Sequence, residues 1–316
     1  MCIRDRHKIS IDMGDVAYIA QGKVPGYILN QFSMDEFNGF FRIATTSGNN
    51  WMEGSQTQNN IYILDENLKQ VSKIENIAPG ESIYAARFLG NRAYLVTFVQ
   101  VDPLFTLDLS DPYNPQILGE LKIPGYSNYL HPYDEDHIIG IGKEVDSTSF
   151  TFAAIQGLKI ALFDVSDFEH PKEVAKVVIG DRGTDSPALY DHKAFLFDRE
   201  KELLVIPVSL YEITQEVKDR YVESQGMEPL YGEFTFQGAY VYRLSLETGF
   251  ELRGRITHQT SEQMQYPEDY YWYWGMSNTD ITRTLYIGDI LYTISDSMVK
   301  MNDRTDLSEI GSISLS

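Results

Sequence analysis

The turn Asp108-Leu109-Ser110-Asp111-Pro112 returns 56 residues later as Asp164-Val165-Ser166-Asp167-Phe168, and Asp65 stands 43 residues before the first copy. Each of these aspartates closes a strand-like run, Asn60–Asp65, Leu104–Asp108 and Leu158–Asp164. A second run follows each, Gln70–Glu75, Gln116–Ile123 and Glu173–Ile179, and Ala239–Leu244 with Glu251–Thr257 is a further pair of the same kind. Hairpins precede the pairs. Asn38-Gly39, Gly90-Asn91 and Gly288-Asp289 each lie between apolar runs, and such dipeptides accept the positive φ of a two-residue hairpin turn. Asp134-Glu135-Asp136 and Asp198–Lys201 hold the same place as longer turns. Two hairpins in series make a four-stranded unit, and a unit repeated in tandem restricts the fold to an array.

The strands within a unit differ in chemistry. Second strands are continuous apolar runs such as Leu203-Leu204-Val205-Ile206, which suit burial on both faces. Fourth strands alternate, with Glu251, Arg253 and Arg255 on one side and Leu252, Gly254 and Ile256 on the other, as expected of an outer, half-exposed strand. A graded, four-stranded antiparallel sheet in tandem copies describes the blades of an all-β propeller. Five blades are expected, at about 26–75, 82–123, 125–180, 187–257 and 281–315. Fused β-sandwiches are the rival, and they require strands that swap sheets. Helical periodicity is confined to Ile213, Val217 and Tyr221, with Glu216 four residues before Arg220, so one short helix is expected in an inserted loop.

Residues 1–7 read as a cloning scar or foreign leader and 8–316 as the propeller. The strand-like His7–Ile11 begins abruptly, which suggests an open arc truncated at its N-terminus. The chain carries 26 Lys+Arg against 46 Asp+Glu, a net charge of −20, which argues against nucleic acid and anionic membranes as partners. No apolar run reaches the ~18 residues of a membrane span. Cys2 is the one cysteine and lies in the leader, a usage that suits an extracytoplasmic setting.

The strings Asn30-Gln31-Phe32-Ser33-Met34-Asp35-Glu36, Arg42-Ile43-Ala44-Thr45-Thr46, Arg92–Phe98 with Val101–Phe105, Leu121–Ser127 and Tyr129–Asp134 carry a family likeness. With them the chain resembles the secreted bacterial and archaeal beta-propeller family distantly related to WD repeats, from about residue 8 to the end. The resemblance implies a secreted or cell-envelope propeller whose export signal and further blades lie upstream in the same chain. It implies no activity and no cofactor.

Long loops fall in one set. The second-to-third-strand and blade-to-blade connections hold the insertions 47–59, 143–157, 181–190, 209–236 and 258–280, and in a propeller these lie on one face. Insertions gathered on one face mark a binding face. Within it, Tyr266–Trp274 has six aromatics in nine residues, so Trp272 and Trp274, with Trp51 on a neighbouring loop, offer a stacking surface for sugars or peptides, or else a lid over blade edges. Trp272 and Trp274 are expected within reach of loop 209–236. First strands line the propeller axis, and Asn30, Gln31, Glu81, Arg87, Asn128, His131 and His192 are their polar residues. Glu81, Asp102, Asn128, His131, Asp191 and His192 are taken as ligand-binding residues. Glu81, Asp102, Asp185 and Asp191 are expected to form an acidic mouth, with Glu66 and Glu247 on the opposite face.

Catalytic and metal patterns are weak. His131 and His137 bracket Asp134 and Asp136, but strand alternation points the rings apart and no second cluster is visible. The repeated aspartate turns lack the further oxygens of a calcium loop and are read as turn caps. Ser186, Asp191 and His192 sketch a triad without a nucleophile elbow. The reading adopted is a non-enzymatic extracytoplasmic binding propeller for a protein or glycan ligand, with no metal and no cofactor. The alternative is a polysaccharide- or ester-cleaving enzyme using the same face.

Overall fold

The computed structural model describes residues 3–48, 56–98, 102–146, 154–223, 230–265 and 277–315. The chain opens with a hairpin of β1 (Ile3–Asp12) and β2 (Asp15–Pro25), turned at Met13 and Gly14 with φ of 43° and 97°. Residues 3–7, within the segment expected to be foreign, form the first half of β1, with Arg6 opposite Gly22. The sequence reading passed over β2 because it shows no amphipathic period. Val16 is 71% and Tyr18 60% exposed, and only the far end is buried, at Gly22 and Val24, the latter among Ile43, Tyr62, Leu64 and Leu68.

Five four-stranded sheets follow among the described residues, each ordered as the strands occur in the chain. The first is β3 (Met34–Phe37), β4 (Phe40–Ser47), β5 (Gln58–Leu64) and β6 (Gln70–Ile77). The second is β7 (Ser82–Leu89), β8 (Arg92–Phe98), β9 (Asp102–Asp108) and β10 (Gln116–Ile123). The third is β11 (Tyr126–Pro132), β12 (His137–Asp146), β13 (Ala154–Asp164) and β14 (Lys172–Ile179). The fourth is β15 (Leu196–Asp198), β16 (Leu203–Glu212), β17 (Glu233–Ser245) and β18 (Gly249–Ile256), with α1 (Gln215–Glu223) inserted between β16 and β17 and α2 (Ser261–Gln265) after β18. The fifth is β19 (Arg283–Ile287), β20 (Ile290–Ile294), β21 (Met298–Asp303) and β22 (Glu309–Ser314). As expected, the sheets are five in number, with four antiparallel strands each, and the expected hairpin turns are present. Asn38, Gly39, Gly90 and Gly288 take the positive φ that the turns require.

The chain divides into two compact units, 1–139 with 163–172 and 140–162 with 173–316. In each the core lies between the faces of adjacent sheets. The first unit buries Ile61, Ile63, Ile83, Phe88, Leu95 and Leu107 together, and the second Leu203, Val205, Val241, Ile256, Ile281 and Leu291. Side chains of this kind stabilise by about 1.5–3 kcal/mol each on full burial.

Three local departures from the sequence reading have local causes. The apolar run before the Asn38-Gly39 turn yields only the short strand Met34–Phe37, because Asn30 caps a 3-10 turn at Gln31–Ser33 by accepting from Phe32 N at 3.0 Å. Ser186 and Asp191 cap two more 3-10 turns, Pro187–Leu189 and His192–Ala194, which leaves β15 three residues long. Strict alternation on β18 breaks at a bulge opposite Val241 and Tyr242, and Leu252 turns outward at 52% exposure.

The repeated turns are Asx turns. Asp108 Oδ1 accepts from Ser110 N at 2.8 Å, and Asp164 Oδ1 from Ser166 N at 2.9 Å. The residue after each aspartate does a second job. Leu109 N donates to Asn91 O and Val165 N to Asp136 O, both at 2.8 Å, clamping the third turn of a sheet to its first. Leu109 and Val165 are themselves buried, at 4% and 0% exposure. One motif therefore sets a turn, pins it to a neighbouring turn and fills the core beneath.

Candidate functional site

In the second unit, the inserted loops are tied into one block. Asp181 accepts from Ile213 N and from Lys218 Nζ, each at 2.7 Å, fixing the start of α1 and its first lysine. Arg182 O accepts from Gly232 N at 2.8 Å. The Arg182 guanidinium lies 4.3 Å over the Tyr231 ring and donates to Tyr231 Oη at 3.0 Å. Thr184 Oγ donates to Tyr211 O at 2.9 Å and accepts from Tyr211 N at 3.0 Å. Asp185 and Ser209 exchange two backbone hydrogen bonds of 2.9 Å, and Lys143 Nζ reaches both Thr184 O and, at 2.8 Å, the Asp185 carboxylate. The Tyr211 hydroxyl is held above its ordinary pKa by burial, then by the Asp280 and Asp185 charges.

Beside this block runs a groove of about 330 Å³, at the small end of ligand pockets. Val177, Ile179, Leu210, Tyr240 and Tyr242 line it, with Arg255 at its wall. The Arg255 guanidinium stands 4.5 Å over Phe236 and 5.6 Å over Tyr240, and Nη1 donates to Tyr240 Oη at 3.3 Å. Burial raises the pKa of both Tyr240 and Tyr242, so both phenols stay neutral.

In the first unit, two clusters form where sheets meet. Tyr84, Phe98 and Tyr126 bring three rings together, with centroids 4.6–5.4 Å apart. Phe32, Arg87, Tyr129 and His131 form the other. Tyr129 Oη and His131 Nδ1 share a hydrogen bond of 3.0 Å. Burial first, and then the Arg87 charge, push the His131 imidazole down to about 4, so it is neutral near pH 7.

The residues singled out from the sequence fall in several places. Arg87 and His131 join one cluster, and Asn128 lies on the same strand, β11, as His131. Glu81 is engaged: its carboxylate accepts from Thr97 Oγ, and its carbonyl from Asn59 Nδ2 at 3.2 Å. Asp102 is the first residue of β9, opposite Ile123. Asp191 caps the turn at His192 by accepting from Lys193 N, and its carboxylate pairs with Arg283. The Lys193 N–H, with the Arg283 charge adding to it, holds Asp191 below the usual carboxylate range. Of the four carboxylates expected at an acidic mouth, Glu81, Asp185 and Asp191 therefore already have partners. Trp51, Trp272 and Trp274 lie outside the described residues, as does the whole run Tyr266–Trp274.

His137 Nδ1 bonds Asp134 Oδ1 at 2.8 Å, while His131 faces Tyr129, so the two imidazoles serve different partners. Ser186 Oγ is fully buried, donates to Pro207 O at 2.6 Å and accepts from Ala188 N, so it is a turn cap rather than a nucleophile. Among the described residues no group of three or more His, Cys, Asp or Glu is arranged to hold a metal, and no helix is long and apolar enough to cross a membrane. The sequence reading named the inserted loops but missed the ion pairs that close them. Asp181 and Lys218 are 37 residues apart, and no local signal joins them.

A family model described as a beta propeller domain matches residues 5–307. An uncharacterized protein of Methanocaldococcus jannaschii is 44% identical over 216 residues, covering 68% of this chain and 32% of the relative. Another uncharacterized protein, from Archaeoglobus fulgidus, is 44% identical over 184 residues, covering 58% of this chain and 27% of the relative. The chain thus spans about a third or less of the curated relatives it matches. Among solved structures, the C-terminal WD40 domain of Sif2 aligns with 99% of this chain and 67% of its own, at 9% identity and a TM-score of 0.46. BamB from Moraxella catarrhalis aligns with 99% of this chain and 90% of its own, at 10% identity and a TM-score of 0.42.

Proposed function

We propose, from the premise that the chain belongs to the beta propeller domain family, that it is a non-enzymatic, extracytoplasmic binding module. Its ligand, a protein or a glycan, is contacted through the inserted loops. The observation that carries this reading is the closed block of loops around Asp181, Arg182 and Asp185, beside a groove with aromatic walls. Loop residues already held by such bonds lose less conformational entropy when a ligand arrives. Tyr231, stacked on Arg182 yet 67% exposed, offers an amphipathic ring at the surface of that block. Cleavage by paired carboxylates has less support. A general acid needs a raised pKa, whereas Asp191 is lowered and Asp181 and Asp185 sit against lysines. The extracytoplasmic setting rests on a chain whose one cysteine is Cys2.

The test is the purified chain on glycan and peptide arrays, beside the Asp181→Ala/Lys218→Ala and Tyr231→Ala variants. Binding that falls about tenfold or more in these variants supports the reading. Turnover of chromogenic polysaccharide or ester substrates above the buffer rate, lost in an Asp185→Asn or Asp191→Asn variant, would overturn it in favour of the enzyme.

A further inference from the structure

Among the described residues of the first unit, three arginines lie against aromatic rings, and one of the three is incomplete. Arg42 lies 5.0 Å over Phe37 and 5.3 Å over Phe88, and it also forks onto the Asp35 carboxylate and donates to Gly90 O at 2.6 Å. Arg92 lies 4.0 Å over Phe168, pairs with Asp136 at 3.1 Å and donates to Glu135 O at 2.7 Å. Both combine a ring, a carboxylate and a carbonyl. Arg87 has the ring alone. Its guanidinium is 4.7 Å from the Phe32 centroid, and among the described residues it has neither a hydrogen-bond acceptor nor a carboxylate within ion-pair reach.

The residue is half-buried, so this arrangement is not that of a surface arginine free in water. Five N–H donors withdrawn partly from water without acceptors are costly, and a charged group raises the cost. The neighbours supply the rest of a pocket. The guanidinium carbon lies over the Phe32 ring, whose centroid is 5.3 Å from that of Tyr129. Tyr129 is hydrogen-bonded to His131 on the same strand. With no acceptor among the described residues, the guanidinium N–H donors remain for a ligand.

We infer that Arg87, with Phe32, Tyr129 and His131 around it, forms a binding site for a single carboxylate group. The fork of a guanidinium matches a carboxylate edge-on with two parallel hydrogen bonds. Charge count selects the valence. Arg87 supplies one positive charge, Tyr129 and His131 are neutral, and the chain as a whole is at −20, so a monoanion is matched and a dianion is repelled. The carboxylate comes either from a small free acid or from an acidic side chain of a polypeptide, and the same chemistry serves both. The site shares no residue with the inserted loops of the second unit and does not depend on the function proposed for them.

The experiment follows the side-chain NMR signals of Arg87 Nε and the His131 ring in the purified chain, at constant ionic strength. The probes are propanoate, a terminally blocked Gly-Asp-Gly tripeptide and sulfate. Propanoate should shift both signals to saturation, with a Kd on the order of 1 mM or weaker for a single charge-assisted pair. His137, which faces Asp134, should not move with them. Sulfate should bind about tenfold more weakly. Arg87→Gln should abolish saturation. Arg87→Lys, which keeps the charge and the fold but loses the fork, should weaken binding about fivefold or more. Tripeptide binding tighter than propanoate supports the site with a polypeptide source, and weaker binding supports it with a free acid. Shifts that stay linear in propanoate, or that persist in both Arg87 variants, overturn the inference. Sulfate binding as well as propanoate also overturns it, since the site is then one for an adventitious ion only.

Discussion

At the residue scale, burial decides which charges this protein carries. His131 is pushed down to about 4 by burial and by Arg87, and His258 to about 4 by burial, with Lys300 adding to the effect. Both folded values lie below the unfolded value of about 6.5, so the unfolded chain binds protons first as the pH falls. The stability that comes from keeping these rings neutral is complete above pH ~6.5 and is lost between there and pH ~4. For His131 alone the loss is on the order of 3 kcal/mol. Urea unfolding across that window should show a falling midpoint, and the His131 ring should titrate near 4 by NMR; a ring that titrates near its ordinary value would contradict the burial argument. Arg42 is the counterpart among permanent charges, with a side chain 2% exposed and bonded to Asp35 and Gly90. Arg42→Ala leaves the Asp35 carboxylate without its cation and should cost about 3–5 kcal/mol in chemical denaturation.

At the element scale, the repeated turn and the close approach of sheets carry the fold. Leu109→Ala should cost about 2–4 kcal/mol, because it removes a buried side chain from beneath the clamp to Asn91. Asp108→Ala, which removes the Asx turn but leaves the core intact, should cost nearer 1 kcal/mol. Equal costs at the two positions would mean that turn geometry, not burial, dominates. Gly119 marks a close approach: a Cβ there would stand 2.1 Å from Phe168 O and 2.7 Å from Thr106 Oγ. Gly119→Ala should therefore destabilise by about 1–3 kcal/mol, since a backbone oxygen has to move. The inserted helix behaves differently. Asp181→Ala frees Lys218 and Ile213 N, so amide exchange over α1 should speed up while global unfolding shifts by less than about 1 kcal/mol.

At the scale of the whole molecule, the net charge of −20 sets the response to salt. Screening of self-repulsion should raise the melting temperature as ionic strength goes from ~0.01 to ~0.15 M, where the Debye length falls from about 30 to 8 Å. A lower melting temperature with salt would mean that the ion pairs outweigh the repulsion. Much of the fold was legible beforehand. Four strands to a unit, the dipeptide hairpins, the Asx turns and the helix near Val217 all follow from the sequence. Each depends on a period of two, a positive φ, a helical spacing or a cap within four residues. Those are local properties that a chain states wherever it lies. The caps at Asn30, Ser186 and Asp191, which shorten the first strands, are local too, each accepting from a backbone N–H two residues on. Tertiary structure alone decided the rest. It brought Asp181 to Lys218, Lys143 to Asp185 and Asp191 to Arg283. It set Arg87 over Phe32 with, among the described residues, no carboxylate beside it. These pairings join residues tens of positions apart, and in a chain with 46 acids and 26 bases composition offers many possible partners for each charge. Only the packing of one sheet on the next selects among them.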